Sequence, residues 1–168
     1  MTFTCKSCGK EHDGLPELGY QRPDVVWALD VVARTRRVDG GNDLCVLRDE
    51  APGGAPRFFI RGTIPLPAPE IDDDWAVGVW AEIAEPDYQR CVELYDHDAC
   101  GEPRFPGTVA NAPKGFEDAL GARVLVQLGT ETHRPTFWFP LGAGCSLAKL
   151  QRSGITLERI HDVIGHFD

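Results

Sequence analysis

The sequence predicts an α+β protein: a mostly antiparallel sheet with helices on one face and an N-terminal zinc-knuckle ribbon. Three observations predict it. Several short segments alternate apolar and polar residues with period two, as half-buried strands do. Others repeat apolar residues at helical spacing. The two kinds of segment do not alternate regularly, as βαβ units would. A chain of 168 residues suits one domain, residues 1 to 168, and can bury a core without disulfides.

Residues 1 to 22 are polar and contain glycine, which fits a metal-held ribbon. "PDVVWALDVVARTRRV" begins at Pro23, a residue favoured in a first helical turn, although its valines also suit a strand. "DLCVL" (43–47) and "RFFIRGTIPL" (57–66) read as strands joined by the Gly- and Pro-rich loop "RDEAPGGAP". "WAVGVWAEI" (75–83) reads as a third strand, in which Gly78 marks a bulge or a close backbone approach. "PDYQRCVELYD" (86–96) reads as a helix with Tyr88, Cys91, Val92 and Tyr95 at helical spacing, so Cys91 is expected to pack rather than react. "ARVLVQLG" and "PTFWFPL" follow as strands linked through "TETHR". "TLERIHDVIGHF" closes the chain as an amphipathic helix with Leu157, Ile160, Val163, Ile164 and Phe167 on its buried face. His161 and His166 are expected at its surface, near the negative end of the helix dipole.

Lys plus Arg is 17 and Asp plus Glu is 26, a net charge of −9. That balance argues against nucleic acid, whose phosphates repel an acidic surface. It favours a basic protein partner. "EIDDDW" (70–75) is a candidate acidic docking patch. No segment is apolar for long enough to span a bilayer, and no signal-peptide pattern opens the chain, so a cytoplasmic protein is expected.

"TCKSCGKEHDG" carries the most chemistry. A C-x₂-C turn brings two sulfurs to one point, as tetrahedral zinc requires. Gly9 suits the turn because glycine accepts positive φ, and Lys6 and Lys10 offset thiolate charge. Cys5 and Cys8 are therefore expected zinc ligands, with His12 and Cys45 favoured to complete the shell. Cys145 in the turn "GAGCS" is a further candidate. A redox role for Cys5 and Cys8 lacks the strand-then-helix setting that lowers a thiol pKa. A catalytic zinc lacks both His-Glu-x-x-His and His-x-Glu with Pro-Cys-x-x-Cys.

In this order, "FTCKSCGKEHDGLP", "DLCVL", "FFIRG", "GVW" and "GITLERI" resemble a bacterial family of uncharacterised proteins, the domain-of-unknown-function family numbered 2199. The resemblance runs from Phe3 to Ile160. It implies one bacterial domain and no established activity. It transfers only Cys5, Cys8, His12 and Cys45 as candidate ligands. A His-Pro pair often stands in the family where this chain has Cys145-Ser146, which weakens a catalytic role for Cys145 and leaves it a substitute metal ligand.

The expected function is that of a non-enzymatic bacterial protein with a structural zinc knuckle, acting through protein–protein contact. An immunity-type protein covering a basic toxin is one concrete form. The alternative is a small hydrolase using Cys145 or an open zinc position. Cys145 there needs a histidine beside it, whereas the plainer reading makes Ser146 the N-cap of a helix. A pocket with convergent polar groups and perturbed pKa values favours the enzyme; a flat acidic surface favours the binder.

Overall fold

The computed structural model describes residues 2–4 and 9–165; the side chains of Phe3 and His12 lie outside that description. The expectations for Cys5, Cys8, His166 and Phe167 therefore fall outside the described residues. The chain begins with an antiparallel ribbon of β1 (Thr2–Thr4) and β2 (Glu11–Asp13), in which His12 pairs with Phe3. Next comes β3 (Leu18–Gly19), which already belongs to the large sheet, in parallel beside Val77 and Gly78. Helices α1 (Asp24–Trp27) and α2 (Val31–Arg37) follow, with the Asp30 carboxylate accepting from the Ala33 N–H as the α2 cap. Strands β4 (Val38–Gly40) and β5 (Leu44–Leu47) then lead to the long hairpin of β6 (Arg57–Ala68) and β7 (Asp73–Ile83). Helix α3 (Glu85–Glu93), β8 (Phe105–Val109), β9 (Arg123–Gln127), β10 (Thr136–Trp138), α4 (Ser146–Ser153) and α5 (Leu157–Ile164) complete the order.

The fold is mixed α+β, and its sheet closes on itself. Strands β6 to β10 run up and down in sequence and form a five-stranded barrel. With an odd number of alternating strands, the first and last point the same way. The seam between β10 and β6 is accordingly the barrel's parallel pairing, made through Thr136 opposite Thr63. The interior is filled by side chains, as small barrels require. Ile60, Ile64 and Leu66 of β6 and Val77, Val79 and Ala81 of β7 point inward with period two.

The helices do not share one face, contrary to the expectation. Tyr88 and Cys91 of α3 join the core where β6 starts, with the Phe58 and Tyr88 rings 5.0 Å apart. Leu147 of α4 and Ile160 and Val163 of α5 join it from the other end, where the Ile155 N–H donates to the Pro67 carbonyl. A flat sheet offers faces to cover, whereas a closed barrel offers ends. Helix α1 instead covers the outer side of β5–β7, where Cys45, Leu47, Phe59, Trp80 and Ala110 form a second, smaller core with Val25 and Leu29 against it.

Buried Asn111 fixes that outer layer. Its Oδ1 accepts from the Trp80 N–H at 2.7 Å, and its Nδ2 donates to the Arg22 carbonyl and to Asp24, both at 2.9 Å. Gly78 meets the close approach expected of it: a Cβ there would lie 3.4 Å from the Gly19 Cα.

Two local expectations are corrected. His161 is buried, only 5 % exposed, although α5 is the expected helix. Leu157, Ile160, His161 and Ile164 stand at i, i+3, i+4 and i+7, so the histidine shares the apolar stripe. Ser146 is not an N-cap. Cys145 takes that position, and the Asp118 carboxylate accepts from both the Ser146 N–H and its hydroxyl. Among the described residues, no helix is long and apolar enough to cross a membrane.

Candidate functional site

Strand β6 has β7 along one edge throughout, but two different partners along the other. Arg57 to Ile60 pair with β5, and Thr63 pairs with β10. The change falls at Arg61 and Gly62. The Arg61 N–H donates to the Asp43 carbonyl at 2.8 Å, and the Thr63 N–H donates to the Pro135 carbonyl at 2.9 Å. Between those two bonds β5 and β10 diverge, leaving a fork. Gly62 is needed there, because a Cβ would lie 2.5 Å from Phe137 Cζ and 2.8 Å from the Pro135 oxygen.

A cleft of about 750 Å³ opens at this fork, bounded by the end of α3 and the 129–136 loop. Ile60, Cys91, Leu94, Ala99 and Leu128 give it an apolar floor, while Asp43, Arg61, Tyr95, Thr130, His133 and Arg134 bring polar groups to it. This pairing of apolar lining with a few placed polar groups is typical of ligand sites. Asp43 bridges the fork: its Oδ1 accepts from Arg134 Nε at 3.2 Å and its Oδ2 from the Tyr95 hydroxyl at 2.8 Å. That bond to Asp43 raises the Tyr95 pKa, since the carboxylate opposes a phenolate. Both partners of the Asp43–Arg134 pair are substantially exposed, at 32 % and 48 % of their side chains. Such a pair contributes about 0–1 kcal/mol, so a ligand can rearrange it at small cost.

Arg61 is half-buried, and among the described residues its guanidinium has one long hydrogen bond, 3.5 Å to the Asn42 carbonyl. Burial lowers its pKa, and repulsion from Arg134 adds to this. His133 turns its Nδ1 toward the Thr130 and Thr132 hydroxyls, at 2.8 and 3.1 Å. The loop is wound tightly enough that a Cβ on Gly129 would lie 2.3 Å from the His133 carbonyl.

The chain belongs to the DUF2199 family, described as an uncharacterised protein conserved in bacteria. Its family model matches residues 4–155. No curated protein and no solved structure matches the chain.

Of the expected candidate residues, Cys45 and Cys145 do not line the cleft. Cys45 is fully buried in the second core, opposite Phe59. Burial pushes its thiol up to about 11, with Arg22 opposing in part. Those are the surroundings of a neutral core thiol. The backbone of His12 lies in the β1–β2 ribbon, and Cys5 and Cys8 fall in the segment joining those two strands, outside the described residues. Gly9 has the expected positive φ, +73°. Among the described residues, no group of three or more His, Cys, Asp or Glu is placed to hold a metal ion. Cys145 is half-buried at the start of α4 and does not line the cleft. Cys91 does line it, but burial pushes that thiol up to about 12, which suits packing and not attack.

Sequence reasoning missed Asp43, Tyr95 and Arg134 as a group. One signal was present. Arg61 interrupts the apolar run "RFFIRG", and a charge there calls for a partner.

Proposed function

We propose that this is a non-enzymatic bacterial protein that acts by binding, with the fork cleft as its receiving site. Convergent polar groups with shifted pKa values are expected of an enzyme, and the cleft has both, at Arg61, Cys91 and Tyr95. The binding reading is carried instead by the lack, among the described residues, of a Cys91–His133 pair or of a carboxylate that orients His133. A hydrolase needs a nucleophile held by a base, which a third group orients. In the cleft Cys91 is held as a neutral thiol, Asp43 is engaged by Tyr95 and Arg134, and no carboxylate orients His133 among the described residues. Cys145 sits beside Ser146, whose polar groups go to Asp118. Cys145 itself lies away from the cleft, which weighs against the hydrolase alternative.

The expected partner is a basic protein, with an immunity-type pair as one form. Thr132 stands exposed at the lip of the cleft. Thr132→Trp should fill the opening without disturbing the core. The variant is expected to lose at least tenfold in affinity for a basic partner protein, at an unchanged melting temperature. Unaltered binding would remove the cleft from the interface.

Asp72, Asp73 and Asp74 stand exposed at the tip of the β6–β7 hairpin, where they support steering of a basic partner. Changing all three to Asn should slow association and flatten its salt dependence, with little effect on stability. A salt dependence that survives the change would clear the tip of that role.

The same reading includes a structural zinc in the N-terminal ribbon. Cys5, Cys8 and His12 have suitable donors, and the positive φ of Gly9 supports a knuckle turn. Cys45, buried as a neutral thiol, and Cys145 are the fourth-ligand candidates. Protein purified without added zinc is expected to contain one zinc per chain. Chelation should expose the amides of residues 2–13 to exchange while the barrel amides stay protected. Reduced protein free of metal, with ribbon amides indifferent to chelator, would rule the knuckle out. Among the described residues Cys45, Cys91, Cys100 and Cys145 are free thiols, which suits a reducing cytoplasm.

A further inference from the structure

We propose that the fork cleft takes a carboxylate joined to an apolar body, with the carboxylate between the guanidinium groups of Arg61 and Arg134 and the body on the floor of Ile60, Leu94 and Leu128. The inference rests on the cleft being the binding site and adds the chemistry of its ligand.

Unused donors are the first reason. A guanidinium has five N–H groups in a rigid fork. Arg134 donates Nε to Asp43, and Arg61 makes its single long bond to Asn42. Among the described residues, most donors of both thus remain for a ligand or water. Directed geometry is the second reason. Asp43, the carboxylate that meets Arg134, has both oxygens engaged. Asp96 and Glu131 also line the cleft and are exposed, as Arg134 is, so the lining has no excess of positive charge. The guanidinium forks, and not net charge, select a carboxylate.

The floor and the walls narrow the ligand further. A small inorganic anion would leave the apolar floor against water, and a neutral apolar molecule would leave the guanidinium donors without an acceptor. Phosphate sites commonly use helix N-termini, whereas α3 presents its C-terminal end here through Leu94 and Tyr95. That end carries partial negative charge and disfavours a dianion. A planar carboxylate carries one charge and matches the guanidinium fork bidentately. The volume of about 750 Å³ admits a medium-chain acid or the last residues of a peptide.

Titration of isotope-labelled full-length protein with four probes tests this: octanoate, octanamide, and N-acetyl-leucyl-leucine with a free or an amidated C-terminus. Backbone resonances report both site and affinity. At least one acid is expected to shift Arg61, Thr63 and residues 130–134, and to bind at least tenfold more tightly than its amide. Arg61→Gln should bring that acid down to the affinity of its amide, and Arg134→Gln should weaken it at least threefold; retained spectral dispersion shows that each variant is folded. Tighter binding of the peptide acid assigns the site to a chain terminus, and tighter octanoate assigns it to a small-molecule acid; either supports the proposal. Equal affinity of acids and amides at the cleft overturns the carboxylate but keeps the binding site. If no probe moves the cleft resonances, the carboxylate proposal fails; if Thr132→Trp also leaves partner binding intact, the binding reading fails with it.

Discussion

Phe137→Ala is expected to destabilise the protein by about 3–5 kcal/mol, the range for emptying a buried aromatic site. Phe137 is fully buried at the middle of β10. Its ring occupies the space that Gly62 leaves by having no side chain. The surroundings cannot collapse into the vacancy, because backbone pairing fixes β6 and β10 on either side. The loss would fall on the parallel seam that closes the barrel, next to the fork cleft. Urea unfolding should show a lower midpoint with a similar slope. A loss below about 1 kcal/mol would mean that this ring does not hold the seam.

Ile160→Ala is the second large effect, roughly 2–5 kcal/mol. Ile160 is 0 % exposed on α5. That helix is anchored at its start, where the Thr156 hydroxyl accepts from the Arg159 N–H and the Glu70 carboxylate accepts from the Leu157 N–H. It packs so closely that a Cβ on Gly115 would lie 2.9 Å from Val163. With both ends of the contact fixed, α5 cannot slide to fill the cavity. Equilibrium unfolding checks the value, and a cost under about 1 kcal/mol would take Ile160 out of the core. His161 lies on the same buried stripe, so His161→Ala should also destabilise, where an exposed histidine would have been silent.

The legible parts of the fold were those that local pattern controls. Alternation in "RFFIRGTIPL" marked β6, and the Gly-Pro loop before it marked the β5–β6 hairpin. Helical spacing in "PDYQRCVELYD" marked α3 and the packing role of Cys91. Strand β8 escaped notice because Pro106 and Gly107 interrupt its apolar pattern and suggest a turn. The cleft escaped for a different reason. Arg134 and Asp43 are 91 residues apart, and Tyr95 and Asp43 are 52 apart. Nothing in the spacing of either pair signals contact.

By itself the sequence determined several of the strands and helices, the acidic balance and the resemblance to a bacterial family. Each of these follows from residues near one another or from simple totals. Tertiary structure alone decided that the sheet closes into a barrel and that helices cover two ends and an outer wall. It also decided that β6 exchanges β5 for β10 at Arg61, which creates the fork and its cleft. Period-two alternation tells which face of a strand is buried, but it does not say which neighbour lies along each edge. Edge pairing is made by backbone groups, which every non-proline residue carries alike. The partner of a strand is therefore fixed by how the whole chain packs.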